Sequence, residues 1–287
     1  MTAPTFKTLR SQYRSTLKHF IASSKNFEIL TSIPATHSQP PPPVRTPDRL
    51  YVLDSSFNPP TLAHRRIAST ALLETPSKAP RLLLLLATQN ADKPSKPASF
   101  EDRLIMMELF ARDLLEYLET NLNSEDGRLP AIDIGLTKRP FFVDKAAEIE
   151  AAGIYPESLE QVHLTGYDTL IRIFNPKYYP PEHTLQPLGP FLSSHRLRVT
   201  MRPGSEWGDA EAQKRFLLNM AQGGMENEGG KREWAQRIQL VEGRRPDQRP
   251  VSSTLAREAI RLNPQDLLGL VPDNVREFVL SQQPYLE

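Results

Sequence analysis

Short apolar runs alternate along the chain with segments in which apolar residues recur at helical spacing. The runs lie at 50–53, 82–87, 131–135, 161–165, 196–201 and 237–241. Each is short enough for one buried strand, and helical patterns such as 101–122 and 143–152 separate most of them. This alternation indicates crossover connections, and therefore an α/β fold with a doubly wound, mostly parallel sheet. Ligands of such sheets bind beyond the carboxyl ends of the strands.

The pattern predicts one domain preceded by an extension. Residues 1–47 contain a basic helical segment and a stiff Pro-rich linker, and residues 48–287 form the α/β domain. Two stretches inside the domain, 175–195 and 204–232, are rich in Pro or contain paired glycines. We predict that both are surface excursions. They are candidate contacts for a protein partner or for a second copy of the chain.

The first 27 residues contain no acidic side chain, and their apolar residues are spaced for one face of a helix. We favour an N-terminal helix that docks on the domain with its basic face exposed, in a protein of the cytoplasm or the nucleus. The alternative is a mitochondrial transit peptide, which is also basic, amphipathic and poor in acidic residues.

Composition excludes several classes of function. The chain has 287 residues, with 35 Lys and Arg against 34 Asp and Glu, so its net charge of +1 favours neither nucleic acid nor a membrane surface as partner. It has no Cys, which excludes disulfides, thiolate nucleophiles and Cys-based zinc sites. No apolar run reaches the length of a membrane span, so we expect no membrane insertion.

The most informative segment follows the first strand and has the sequence Ser-Ser-Phe-Asn-Pro-Pro-Thr-Leu-Ala-His over 55–64. A strand, a tight turn and a helix start offer free backbone N–H groups to an anion. His64, in the first helical turn, can add a donor to a phosphate oxygen. The segment therefore predicts a phosphate site. The alternative is an ordinary Asn-Pro turn with a capping Thr61 and a surface His64.

A second helix start of this kind follows the last strand. Ser252, Ser253 and Thr254 supply hydroxyl groups at its cap, and Arg257 supplies a planar fork of donors one turn later. This segment predicts a second phosphate site. The alternative is a plain N-cap with a solvated Arg257.

Two further segments follow strands in the same order. Gly166 and Asp168 come directly after the strand at 161–165, and Arg202 precedes a Pro-Gly step after the strand at 196–201. Because the carboxyl ends of parallel strands meet at one edge, these segments should share one site with the two phosphate-binding turns. The alternative for Gly166 and Asp168 is a turn glycine followed by a helix cap.

Together these motifs resemble those of the nucleotidyltransferase superfamily, over about residues 48–287. Phe57, Asn58, Thr61 and His64 match its first motif, and the stretch 251–257 resembles its Ser-Ser-Thr-x-x-Arg signature. The chain departs at Ser55, where the superfamily usually has Gly. It is identified as a member of the nicotinamide and nicotinate mononucleotide adenylyltransferases, most similar to their divergent fungal branch.

The resemblance implies transfer of AMP from ATP to nicotinamide mononucleotide, and possibly to nicotinate mononucleotide, releasing pyrophosphate. It implies Mg²⁺ bound through the ATP phosphates, no metal held by the protein itself, and catalytic roles for Thr61, His64 and Arg257. The residues that it assigns to ATP are Ser55, Ser56, Phe57, His64, Gly166, Asp168, Arg202, Ser252, Ser253, Thr254 and Arg257.

The acceptor half matches less well. The resemblance assigns Asn58, Lys93 and Arg103 to the mononucleotide, although Lys93 could be a solvated loop residue and Arg103 a helix-surface charge. Animal-type relatives carry a Trp-Glu pair after the third strand, and this chain has no Trp there. Phe141 or Phe142 could stack on the pyridine ring instead, or both could belong to the core.

Other functions stay open at this point. One is a nucleotidyltransferase with a different phosphate acceptor. Another is an ATP-binding or slowly ATP-hydrolysing regulatory scaffold, because a fold does not by itself establish an activity. A class I aminoacyl-tRNA synthetase is disfavoured, since the chain is short, nearly neutral and without a Lys-rich second signature.

Overall fold

The computed structural model describes residues 5–33, 47–74, 79–89, 97–122, 129–204, 206–244 and 248–285. The strands in these ranges are β1 (Phe27–Ile33), β2 (Arg49–Asp54), β3 (Pro80–Ala87), β4 (Ala131–Thr137), β5 (Gln161–Gly166), β6 (Arg196–Thr200) and β7 (Ile238–Val241). The α-helices are α1 (Phe6–Ala22), α2 (Leu62–Glu74), α3 (Phe100–Asn121), α4 (Phe142–Ala151), α5 (Tyr167–Ile173), α6 (Leu188–Ser194), α7 (Ala210–Ala221), α8 (Ser253–Leu262) and α9 (Asp273–Gln282). In these ranges no helix is both long and apolar enough to cross a bilayer.

The strands form one sheet in the order β1-β4-β3-β2-β5-β6-β7. All neighbouring pairs are parallel except β1 with β4. From β2 at the centre of the sheet, β3 and β4 follow in sequence order on one side, and β5, β6 and β7 follow on the other side. The predicted doubly wound, mostly parallel sheet is confirmed, and its topological switch point lies between β2 and β5, where ligands bind.

Strand β1 was not predicted. It pairs antiparallel with β4, and its register shifts between Ile29 and Thr31, which interrupts the alternation of buried and exposed residues that marks a strand. The predicted division at residue 48 therefore assigns one strand of the sheet to the extension. An edge strand with a partly exposed surface carries a weaker apolar signal than the buried strands do.

Helix α1 docks on α3, as the favoured interpretation of the N-terminus predicted. Its buried residues are Tyr13, Leu17 and Phe20. Its polar contacts with α3 are Arg10–Asp102, Arg14–Glu101 and Tyr13–Glu108, each at 2.8 Å. The basic face is thus partly paired with acidic residues of α3 instead of being fully exposed, and the helix is part of the folded domain.

Replacing Phe20 by Ala is expected to destabilise the protein by about 3–5 kcal/mol, because the ring is fully buried and its loss leaves a cavity. Urea unfolding of the purified protein measures this change. Ile21→Ala is the matched control. The Ile21 side chain, next to Phe20 in the sequence, is 55 % exposed, so the free energy of unfolding should change little. Equal effects of the two substitutions would contradict the docked arrangement.

The two predicted surface excursions place several apolar side chains in the core, while most of their described residues are exposed or partly exposed. Both contribute to a second hydrophobic cluster that also includes Trp234 on its own 3₁₀ helix (Arg232–Arg237). The buried residues that they supply are Tyr179, Leu185, Leu188, Phe191, Leu192, Met220 and Met225. In 175–195 the apolar residues are scattered among Pro and polar residues, so they show no strand or helix period over a useful window. Only packing reveals that they cover one face of the sheet.

Candidate active site

A cleft of about 930 Å³ opens at the carboxyl ends of β2, β5 and β6. Helix α2 and the segment before α8 complete its walls. The predicted residues that line it come from all four motifs: Ser55, Thr61, His64, Gly166, Asp168, Arg202, Ser252 and Ser253. Residues almost 200 positions apart in the sequence therefore share one site, as the strand order predicted.

The first turn is anchored by Phe57. This residue is fully buried with φ of 45°, and its ring packs 5.5 Å from the ring of His64 and 6.3 Å from that of Phe110. The Phe57 side chain does not line the cleft. It packs in the core and is therefore not placed to contact ATP as predicted. A bulky residue in left-handed backbone is held there by its surroundings. Ser56 is exposed but does not line the cleft.

Both ring nitrogens of His64 are engaged. The backbone N–H of Thr61 donates to Nδ1 at 3.0 Å, and Thr61 Oγ1 lies 2.8 Å from the same atom. Nε2 lies 2.9 Å from Ser55 Oγ. Burial lowers the pKa of His64 to about 4. The ring is therefore neutral at physiological pH, with Nδ1 accepting and Nε2 carrying the proton.

The second motif packs directly on the first. Ser253 Oγ donates to the carbonyl of Pro59 at 2.8 Å, and Arg257 Nη1 donates to the carbonyl of Asn58 at 2.7 Å. Arg257 Nη2 also lies 3.2 Å from Thr254 Oγ1. Neither Thr254 nor Arg257 lines the cleft. The hydrogen bonds give Arg257 the role of a brace between the two turns.

The remaining edge of the cleft is held by Gln213, which the sequence analysis did not single out. Its buried amide accepts from the backbone N–H of Arg202 and donates to the carbonyl of the same residue, each at 3.0 Å. Arg202 Nη1 in turn lies 3.2 Å from Asp168 Oδ1. That carboxylate folds back against Gly166, where an added Cβ would lie 2.7 Å from Asp168 Oδ1. A Cβ at this position would displace the Asp168 carboxylate from its present place.

The predicted acceptor residues are not gathered in the cleft. Arg103 is 1 % exposed and donates to the carbonyl of Ala98, so it is neither an accessible ligand nor a surface charge. Burial lowers the pKa of its guanidinium, and the nearby charge of Arg257 lowers it further. Asn58 is also buried, and its Oδ1 has no hydrogen-bond partner among the described residues. Lys93 lies outside the described residues.

The two phenylalanines stand at the start of α4, away from the cleft lining. The Phe142 ring packs 4.7 Å from His163 and 5.0 Å from Phe191 in the second hydrophobic cluster. Phe141 is the partly buried residue that precedes the helix. The structure thus favours the core interpretation for Phe142, and neither ring lines the cleft.

Two polar features of the cleft were missed at the sequence level. Asp54, at the carboxyl end of β2, lines the cleft and forms an ion pair with the buried Lys145 of α4. Arg65 and Arg66 of α2 also line it, and the Arg65 guanidinium lies 4.6 Å above the ring of Tyr117. Within the described residues neither of these two arginines pairs with a carboxylate. Two uncompensated cations beside His64 favour an anionic ligand.

The class of protein follows from this fold and site together with two comparisons. A family model described as Cytidylyltransferase-like matches residues 52–125, which contain the first turn and His64. The solved structure of Plasmodium falciparum nicotinic acid mononucleotide adenylyltransferase complexed with NaAD superimposes with a TM-score of 0.51, over 83 % of this chain and 97 % of that one. At 13 % identity this likeness shows the fold alone. The chain therefore has the nucleotidyltransferase fold.

A closer relative defines the family. The chain is 33 % identical over 237 residues to a Schizosaccharomyces pombe protein named provisionally as a nicotinamide mononucleotide adenylyltransferase. The match covers 82 % of this chain and 86 % of the relative. The chain therefore belongs to the nicotinamide mononucleotide adenylyltransferase family.

Proposed function

We propose that this enzyme transfers AMP from ATP to the 5′-phosphate of nicotinamide mononucleotide, giving NAD and pyrophosphate. The observation that carries the proposal is the convergence of the Ser55 turn, the His64 imidazole and the start of α8 on one cleft. A helix start with free N–H groups and hydroxyls binds phosphate, and the cleft offers this together with a neutral His donor. The name of the fungal relative supports the choice of acceptor.

The chemistry needs positioning more than proton transfer. An oxygen of the acceptor phosphate attacks the α-phosphorus of ATP, and the bond from that phosphorus to the bridging oxygen of pyrophosphate breaks. The attacking phosphate is already anionic, so no general base is required. We assign to His64 Nε2–H a hydrogen bond to an α-phosphate oxygen, where negative charge develops. The Ser252 hydroxyl and the backbone N–H groups at the start of α8, including that of Ser253, would hold the leaving pyrophosphate.

The rest of the cleft divides between the two ends of ATP. Asp168 and Arg202, the latter held by Gln213, would meet the adenosine part beside Gly166. Arg65 extends the phosphate site on the side of Tyr117. Arg257 supports this arrangement from behind the turn by fixing the carbonyl of Asn58.

The residues present fit a divalent cation that is bound through ATP. Within the described residues no group of three His, Asp or Glu side chains could hold a metal ion. We propose that Mg²⁺ enters with ATP and takes its oxygen ligands from the phosphates and from water. When bound, it would neutralise charge on the phosphates.

Side-by-side assays with the two pyridine mononucleotides test the proposal. Purified protein, ATP and Mg²⁺ are mixed with nicotinamide or nicotinate mononucleotide, and the dinucleotide and pyrophosphate are measured. Formation of NAD with equal pyrophosphate supports the proposal. If only nicotinate mononucleotide gave a dinucleotide, the acceptor would be reassigned to nicotinate mononucleotide. If neither mononucleotide gave a dinucleotide, the proposed function would be discarded. Release of inorganic phosphate from ATP without any mononucleotide would favour the regulatory scaffold.

Replacing Arg65 by Ala should raise the KM for ATP about tenfold and change kcat less, because a charged hydrogen bond to a bound phosphate is lost in ground and transition states alike. Steady-state kinetics at saturating mononucleotide measures this. Arg65→Lys should recover part of the effect, since it keeps the charge but loses the planar stack on Tyr117. Arg232→Ala is the control, as its exposed side chain pairs with Glu226 away from the cleft lining. An unchanged KM would remove Arg65 from the site.

A further inference from the structure

Ser55 stands where the resembling superfamily usually has glycine, and its hydroxyl is in contact with the ring proposed to act on phosphate. Ser55 Oγ lies 2.9 Å from His64 Nε2. The backbone of Ser55 is fixed by its own N–H, which donates to the carbonyl of Leu85 on β3 at 3.2 Å. The hydroxyl is therefore presented to His64 from a rigid strand end.

The direction of this hydrogen bond follows from the other side of the ring. The N–H of Thr61 can only donate, and it points at Nδ1 from 3.0 Å, so Nδ1 must carry a lone pair. In a neutral imidazole the proton is then on Nε2, and Nε2–H donates to Ser55 Oγ. In a protonated ring, Nδ1 would also carry a hydrogen, and this hydrogen would clash with the N–H of Thr61. The hydrogen of the Ser55 hydroxyl is not used by His64 and can point into the cleft.

We infer that Ser55 is a positioning residue for His64: its oxygen holds the Nε2–H when no phosphate is bound, and fixes the ring plane and tautomer needed to donate to one. An arriving phosphate oxygen takes over the Nε2–H and receives the Ser55 hydroxyl as a second donor. Preorganised donors of this kind need no rearrangement during the reaction. The inference rests on the proposed function only in naming phosphate as the incoming group.

The test compares Ser55→Ala, Ser55→Gly and Ser55→Thr in the full chain by two independent measurements. Imidazole ¹⁵N and ¹H NMR, assigned with His64→Ala, reports the tautomer and the exchange of the Nε2 proton. We expect an Nε2–H tautomer in the unsubstituted protein and about tenfold faster proton exchange in the Ala and Gly variants. Both variants should lower kcat about tenfold with little change in KM for ATP, the size expected for one hydrogen bond. Ser55→Thr, which keeps the hydroxyl, should show the proton exchange and the kcat of the unsubstituted protein.

Ser193→Ala is the control, because its exposed hydroxyl bonds, among the described residues, to the carbonyl of Pro190 and to Ser194 Oγ, both within α6. An Nδ1–H tautomer in the unsubstituted protein, or unchanged proton exchange in Ser55→Ala, would overturn the inference. Unchanged kcat in both Ala and Gly variants would do the same. If the unsubstituted protein made no dinucleotide, the proposed function would fail, and the NMR measurement would still decide the role of Ser55.

Discussion

Replacing His64 by Ala is expected to lower kcat about 10²–10³-fold, the range measured when one donor to a developing anion is removed. The KM for ATP should change only a few-fold, because the hydrogen bond matters most when charge develops on the α-phosphate. The effect is large because the structure holds the ring from both nitrogens and keeps it neutral. Coupled measurement of NAD formation at saturating substrates checks this prediction.

His19→Ala is the matched control for that experiment, since His19 is exposed on α1 and does not line the cleft. It should retain full activity. A His64→Ala enzyme with an unchanged kcat would remove the imidazole from the mechanism. An increase in KM alone would instead assign His64 to uniform binding of ATP.

Replacing Arg257 by Ala is expected to lower kcat/KM by about 10²-fold and to destabilise the protein by about 1–3 kcal/mol. Its guanidinium donates to the carbonyl of Asn58, which would be left without that partner in a part-buried position. The first turn would then lose its brace against α8, and small displacements of positioned groups are costly in catalysis. Steady-state kinetics and urea unfolding measure the two effects separately.

Arg261→Ala, on the same helix but exposed, should leave both quantities nearly unchanged. Arg257→Lys should recover part of the stability, because it keeps a donor but lacks the second arm that reaches Thr254. A loss of activity in Arg257→Ala without any loss of stability would favour direct phosphate binding over the bracing role. No loss of either would exclude both roles.

The parts of the site that were predictable have a local cause. Ser252 caps α8 by accepting from the N–H of Leu255, a bond between residues three apart that the pattern of hydroxyls predicts. Thr61 contacts His64 across the same three-residue interval. Strand alternation then placed these turns at one edge of a parallel sheet. Local caps and strand order therefore sufficed to bring Ser55, His64, Gly166 and Ser252 together.

The residues that were assigned wrongly depend on contacts across the fold. Arg103 follows the cap of α3 and resembles a surface charge, yet the chain packs over it until it is almost fully buried. Phe142 was a candidate platform for a pyridine ring, but His163 and Phe191 cover it. Gln213 has no sequence signal at all, because its side-chain hydrogen bonds go to backbone groups of Arg202 and Gly208, which no local pattern links to it.

The sequence by itself determined the α/β class, the doubly wound sheet, the docked N-terminal helix and the two turns that face the cleft. These features rest on period, caps and strand order, which are properties of short segments. Only the tertiary structure decided that β1 joins the sheet, that the segments 175–195 and 204–232 place several side chains in the core, and that Arg257 braces the first turn. Those outcomes depend on side chains that are far apart in the sequence and become buried against one another. Because burial is set by the whole fold, no short segment reveals it.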